Sequence, residues 1–309
     1  QTSLPLYGLI FCSGGSKKQA LDLTSMSPQK DSLNILTFDI EEWYQANYPG
    51  LKIEKENLED RFLDKNIKLL LELCRLHEAR ATFFILGKTA EKYPALVPMI
   101  KAAGHEIACH GYRHELIYNL SPAEFELELE KALKILESQA GEKILGFRAP
   151  SWSVRRDMTW FFDLLEKFGL VYDSSLFPLK TFLYGEKGII PHPHFIDKLL
   201  ELPPSTLRLS GFTIPFSGGF YFRVMPYFLI KKGMEKLNRK GLPALVYLHP
   251  REIDPDSPRL PLSFVQRFIH YSGLKRALAK LKKLLTDFRF TSVRDYFGLY
   301  SFDKQTFFH

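Results

Sequence analysis

From Asn34 onward, short β-type runs alternate with amphipathic helical stretches, and the residues able to do chemistry fall where those runs end. The candidate strands are Ile35–Phe38, Ala81–Leu86, Glu106–Cys109, Ile144–Phe147, Leu170–Tyr172, Leu200–Leu202, Ala244–Leu248 and Phe288–Thr291. Strands separated by helices predict a parallel sheet with crossover connections. Asp39 follows the first run, His110 the third, Arg148 the fourth, Asp173 the fifth and His249 the run ending at Leu248. In a parallel α/β barrel, C-terminal strand ends share one rim, and the loops of that rim build the active site.

The helices carry their own punctuation. Ile67, Leu70, Leu71 and Cys74 form one apolar face after the first strand. Ser121-Pro122-Ala123-Glu124 supplies an N-cap, a first-turn proline and a capping-box glutamate. Asp157 can cap a helix running to Phe168, which Gly169 can end in the left-handed conformation. Residues 177–221, rich in Pro, Gly and aromatics, read as long loops around one short strand, and loops of that length are usually functional. Lys275, Arg276, Lys280, Lys282 and Lys283 sit among leucines in Leu274–Leu285. That pattern could favour an anionic membrane surface, but leucines at helical spacing argue more simply for a solvated helix face over core packing.

With 309 residues and 45% hydrophobic content, one large domain over 34–309 is expected behind an N-terminal extension, 1–33. Leu4–Ser13 could be a leader remnant ending at Cys12, although Phe11 occupies a place that favours a small residue. No stretch approaches the roughly 20 apolar residues of a membrane span. A cytoplasmic or envelope-associated protein is expected, with a lean to the cytoplasm. Three cysteines without CxxC spacing suggest reduced thiols. The net charge of +7 is modest, and no nucleic-acid partner is expected; Ser13-Gly-Gly-Ser-Lys-Lys lacks P-loop spacing and no GxGxxG follows a strand.

His110 and His114, at i and i+4, can reach one cation. HxxxH alone is weak; delivery of His110 to the rim by a buried-looking strand strengthens it. His105, at the strand's other end, reads as structural. Asp39, Glu41 and Glu42 follow the first strand, and alternation along an extended chain points Asp39 and Glu41 the same way. One can bind a metal while the other handles a proton. Two histidines and a carboxylate with open positions are the usual make-up of a hydrolytic zinc site.

Ile35-Leu-Thr-Phe-Asp39, Ala81-Thr-Phe-Phe-Ile-Leu-Gly87, Gly104 through His114, Phe147-Arg-Ala-Pro-Ser-Trp152, Tyr172-Asp-Ser-Ser175 and Leu248-His249 occur in an order that resembles polysaccharide deacetylases of the NodB-homology type, carbohydrate esterase family 4. Pro215 to Pro226 further resembles the branch encoded with exopolysaccharide or O-antigen biosynthesis genes. The resemblance implies a distorted (β/α)7 barrel and removal of acetyl from N-acetylated saccharides with a divalent metal, expected to be Zn. By the same resemblance Asp39 is the general base, and His110 and His114 are ligands. Arg148 orients Asp39, and His249 protonates the leaving amine. Where the family commonly has a second aspartate this chain has Ile40, so Glu41, with Glu42 as runner-up, is expected as third ligand. Pro150 shapes the loop, the Ser151 N–H is an oxyanion donor, and Trp152 either walls the acetyl pocket or is simple core. Asp173 tunes His249 or merely turns the chain. Two other readings are an amidohydrolase of small or cyclic amides and a carbohydrate-binding protein without activity.

Overall fold

A computed structural model describes residues 32–51, 61–181, 184–209 and 212–299. Most of the 1–33 extension, Leu4–Ser13 and Cys12 lie outside the described residues. The strands are β1 (Leu33–Ile40), β2 (Thr82–Ile85), β3 (Glu106–Cys109), β4 (Gly146–Phe147), β5 (Tyr172–Asp173), β6 (His194–Ile196), β7 (Leu199–Glu201), β8 (Thr206–Leu209), β9 (Phe212–Pro215), β10 (Leu245–Leu248) and β11 (Arg289–Thr291). The helices are α1 (Arg61–Leu76), α2 (Gly87–Lys92), α3 (Leu96–Ala102), α4 (Pro122–Ala140), α5 (Thr159–Lys167), α6 (Gly219–Val224), α7 (Tyr227–Asn238), α8 (Phe264–Tyr271), α9 (Leu274–Asp287) and α10 (Val293–Phe297).

Nine strands form one sheet in the order β10-β1-β2-β3-β4-β5-β7-β6, with β11 also paired to β1. All neighbours are parallel except β6, which runs antiparallel to β7. This is the α/β architecture of a distorted barrel, a curled sheet whose hydrogen bonding does not join β6 to β10 among the described residues. Each of the eight expected strands has its counterpart. Two hairpins were not foreseen: β6–β7, and β8–β9 in a sheet of its own. Their strands are three or four residues long and lie among prolines, so no period of two builds up.

Side chains alternate across a strand, and this sorts β1 into two faces. Leu36, Phe38 and Ile40 enter the core between sheet and helices. Ile35 faces the other way, into a core shared with Phe84, Ala108, Tyr172, Leu200 and Leu245 from the neighbouring strands. That second core fills the interior of the curl, and Thr37 and Asp39 share its side.

The Ser121 capping box forms as expected, and Gly169 is left-handed at φ 78°. Asp157 does not cap α5, because Met158 occupies the N-cap and Asp157 pairs with Arg155. In α9 the leucines Leu274, Leu281, Leu284 and Leu285 are buried, so its lysines belong to the outer face of a core helix. Among the described residues no helix is long and apolar enough to cross a membrane. Cys74 and Cys109 are free and buried, and burial pushes both thiols up to about 12.

Packing inside the curl is tightest at Gly146. A Cβ there would meet the Tyr172 ring at 1.8 Å, and Tyr172 is fixed by its hydroxyl, which donates to Glu106 at 2.9 Å. Gly146→Ala is therefore expected to lower stability by about 1–3 kcal/mol, as overpacking does. Denaturant unfolding of the variant beside the parent protein measures it; an unchanged midpoint would show that the ring can move aside.

Candidate metal and catalytic centre

The interior face of β1 continues past the strand end. Thr37 and Asp39 occupy alternate interior positions, and Glu41 follows in a tight turn closed by its own N–H donating to the Asp39 carbonyl at 3.1 Å. From β3 the same parity delivers His110, and the loop beyond brings back His114, whose backbone adopts φ 66°. Glu41 Oε1 lies 3.0 Å from His110 Nε2 and 2.7 Å from His114 Nε2. All three residues are buried, and their ligand atoms lie within 4.8 Å of one another. Ile40 points into the helix-side core. Glu42 turns elsewhere, its Oε1 accepting from the Tyr93 hydroxyl at 2.7 Å.

The hydrogen bonding of His110 shows that this group fits a cation. Its Nδ1 lies 2.7 Å from the Arg148 carbonyl oxygen, which can only accept, so Nδ1 carries the proton. In the neutral ring Nε2 is then a lone pair, and it faces the Glu41 carboxylate, a second acceptor. A cation between them resolves the conflict, and a main-chain carbonyl holding the distal nitrogen is the usual support for a ligating histidine. Burial works to raise the Glu41 pKa, but the neighbouring His114 and His249 outweigh it and hold the carboxyl well below its ordinary value.

Arg148, wholly buried, ties the centre together. Its Nη1 donates to Asp39 Oδ1 at 2.6 Å and to Thr37 Oγ1 at 2.9 Å. Its Nε and Nη2 donate to Ser174 Oγ at 3.3 and 2.9 Å, and Ser174 Oγ in turn donates to the Leu202 carbonyl at 2.6 Å. The guanidinium stacks 4.1 Å above the Phe84 ring centre. Such pairing and stacking offset the desolvation of a buried cation.

His249, delivered by β10, aims Nε2 between two carboxylates, 3.9 Å from Asp39 Oδ2 and 3.6 Å from Glu41 Oε2. Its Nδ1 lies 3.3 Å from Glu252 Oε2, which also accepts the His249 backbone N–H at 3.1 Å. Glu252 is held from behind by Arg223 Nε at 3.0 Å, and Arg223 spends its remaining donors on the carbonyls of Ile269, His270 and Ser272. Burial works against the charged form of His249, yet Glu41 and Glu252 prevail and raise its pKa. Burial likewise works to raise Glu252, but His249, Arg223 and Arg251 hold its carboxyl low.

Pro150, Ser151 and Trp152 form a 3-10 turn beside the centre, with Ser151 and Trp152 left-handed at φ 53° and 46°. Asn47 Nδ2 donates to Ser151 Oγ at 3.2 Å. Trp152 packs on Tyr247 and Phe177, ring centres 4.4 and 5.3 Å apart, to make an aromatic wall.

Two family models divide the chain. Residues 28–172 match the polysaccharide deacetylase family. The stretch that matches this family is a little under half of the chain. Residues 174–298 match a family described only as a domain of unknown function. Similar curated proteins include a peptidoglycan deacetylase-like protein of Gibberella zeae, 38% identical over 31% of this chain and 28% of its own length. The peptidoglycan deacetylase of Helicobacter pylori is 33% identical over 36% of each. The chitooligosaccharide deacetylase of Azorhizobium caulinodans is 33% identical over 32% of this chain and 46% of its own. The alignments thus span less than half the length of these relatives. A Mycobacterium smegmatis crystal structure described as a polysaccharide deacetylase superposes with a TM-score of 0.53 over 89% of this chain and 93% of its own, at 22% identity, and shows the shared fold.

The fold brings Asp39, Glu41, His110, His114, Arg148 and His249 together and leaves Asp173 out. Tyr172 faces the interior, so Asp173 falls on the opposite face of the pleat, where Ser175 Oγ donates to it at 2.5 Å and Glu201 is its cross-strand neighbour. The interior place belongs to Ser174. The partner of His249 is Glu252, whose signal was local: in His249-Pro-Arg-Glu252 the glutamate sits three residues on, as in a capping box. Burial and the Asp173 charge raise Glu201 well above its ordinary value, and burial raises Asp173 to about 6. Raised carboxyl pKa values contribute stability below the unfolded values that is lost as pH rises through the folded ones. The Asp173–Glu201 pair is therefore expected to contribute a decline in melting temperature from about pH 4.5 through 6 and above. Glu201→Gln should flatten that decline; an equal slope in both proteins would assign it to other groups.

Proposed function

We propose that the chain is a metal-dependent deacetylase that removes N-acetyl groups from amino sugars of a polysaccharide or its lipid-linked precursor, with zinc held by Glu41, His110 and His114. The observation that carries this reading is the facing of His110 Nε2 and Glu41 Oε1, two electron-pair donors 3.0 Å apart beside a buried base and a histidine. The match of residues 28–172 to the polysaccharide deacetylase family supports it, as does the similarity to relatives described as deacetylases of peptidoglycan and chitooligosaccharide. A His₂–carboxylate set is characteristic of hydrolytic zinc.

An amide needs activation of both carbonyl and leaving nitrogen. A cation held by Glu41, His110 and His114 would supply Lewis acidity toward an acetyl carbonyl and an attacking water. Asp39 takes the proton of that water. Arg148 holds one Asp39 oxygen at 2.6 Å and so leaves the other toward His249 and the substrate space. Ser151, second in its 3-10 turn, carries an N–H that helical geometry leaves without an intrahelical acceptor, a suitable donor to a developing oxyanion. Pro150 fixes the turn, and Trp152 closes the acetyl side. His249, whose charged form Glu41 and Glu252 favour against burial, gives its proton to the departing amine. Glu252 and Arg223 act through His249 as positioning residues.

Asp39→Asn and His249→Ala are each expected to reduce acetate release from N-acetylhexosamine oligomers by roughly 10²–10⁴-fold. The parent protein, purified without chelators, should carry close to one divalent cation per chain, and His110→Ala should lose it. Metal-free protein that still deacetylates would end the metal reading, and stoichiometric metal without acetate release would end the substrate reading. Glu252→Gln should lower kcat about 10–100-fold, the usual effect of supporting partners, with little change in KM. A rise in KM alone would instead place Glu252 in substrate binding.

A further inference from the structure

One amphipathic helix is turned outward. α8 fully buries only His270, which lies against Tyr48 with ring centres 5.7 Å apart. On its far side Phe264, Val265 and Phe268 are 86%, 62% and 56% exposed. Their i, i+1, i+4 spacing makes a single apolar face. Phe268 meets Phe220 of α6 at 5.9 Å, and one turn further along α6 Val224 is exposed as well. Scattered exposed apolar residues are ordinary, whereas an apolar helix face turned to solvent marks a surface that something else covers.

Charge identifies the covering partner. Residues 202–234 and 257–286, which supply α6 and α8, contain no aspartate or glutamate and eleven lysines and arginines. Some of these are engaged internally, Arg223 with Glu252 and Lys280 with carbonyls at the end of α6. Arg267 on α8 and Lys275 and Arg276 at the start of α9 remain exposed. A second copy of the chain would bring the same positive charge against this face. A neutral sugar would gain no stacking from Val224 or Val265. An anionic bilayer satisfies both parts of the surface: aromatic and aliphatic side chains enter the headgroup–acyl boundary while arginine and lysine meet lipid phosphates.

We propose that the α6–α8 face docks this protein on an anionic lipid membrane. The docked face is continuous with the mouth of the centre. α6 carries Tyr221, which packs with the Trp152–Tyr247 wall, and Gln266 of α8 donates to the Pro49 carbonyl at 3.1 Å, on the loop that follows Glu41. Docking therefore sets the rim beside the bilayer plane. The inference stands apart from the deacetylase reading, since lipid binding is measured without catalysis.

Flotation of the full chain with vesicles tests it. Protein is expected to float with phosphatidylcholine vesicles containing phosphatidylglycerol, and at least about tenfold less with phosphatidylcholine alone or at high salt. The Phe264→Ser/Phe268→Ser double variant should lose about tenfold in bound fraction while melting and acetate release in solution stay at parent values. Absence of flotation with anionic vesicles overturns the proposal. So does flotation indifferent to the double variant, or a concentration-dependent dimer in gel filtration that the double variant abolishes.

Discussion

The buried ion pair of Arg148 and Asp39 is the contact on which the rest of the centre depends. A guanidinium and a carboxylate removed from water cost several kcal/mol each unless every donor is used. Here Arg148 reaches Thr37 and Asp39 from β1 and Ser174 beyond β5, and lies flat on Phe84 from β2. Its own carbonyl takes the His110 ring from β3. One residue thus couples the ends of β1, β2, β3, β4 and β5. The interior of the curl must stay intact for Asp39 and His110 to face the same point.

Much of this was legible in the sequence because a parallel sheet puts strand ends on one rim and strand pleating has a strict period. Asp39, His110, Arg148 and His249 could be placed by counting from apolar runs, and Glu41 by counting two from Asp39. Asp173 shows where the count fails. It is at a strand end like the others, but β5 is only two residues long, too short for its parity to be read, and the interior place goes to Ser174. Glu252 was missed for a different reason. It belongs to no strand, and its position follows from a turn closed by its own carboxylate and a buried arginine 29 residues earlier. The hairpins after Phe177 were hidden by proline and glycine, which read as loop.

The division between the two family models, at residues 172 and 174, runs through the end of β5 and not around the centre. Asp39, Glu41, His110, His114 and Arg148 come from the first stretch. Ser174, Arg223, His249 and Glu252 come from the second, which also contributes β10 and β11, the two partners of β1 on its outer edge. The stretch without a described function therefore supplies four of these nine polar residues. It also supplies the outward-facing helix beside it.

The two histidines at the heart of the centre are secured by different materials. His110 leans on a main-chain carbonyl, which every amino acid possesses, so no substitution at position 148 removes the acceptor itself. His249 leans on a carboxylate that a single replacement erases. Variation among descendants of this chain can thus retune His249 readily while the tautomer of His110 is inherited with the backbone. The chemistry of the centre is open to drift on one side and locked on the other.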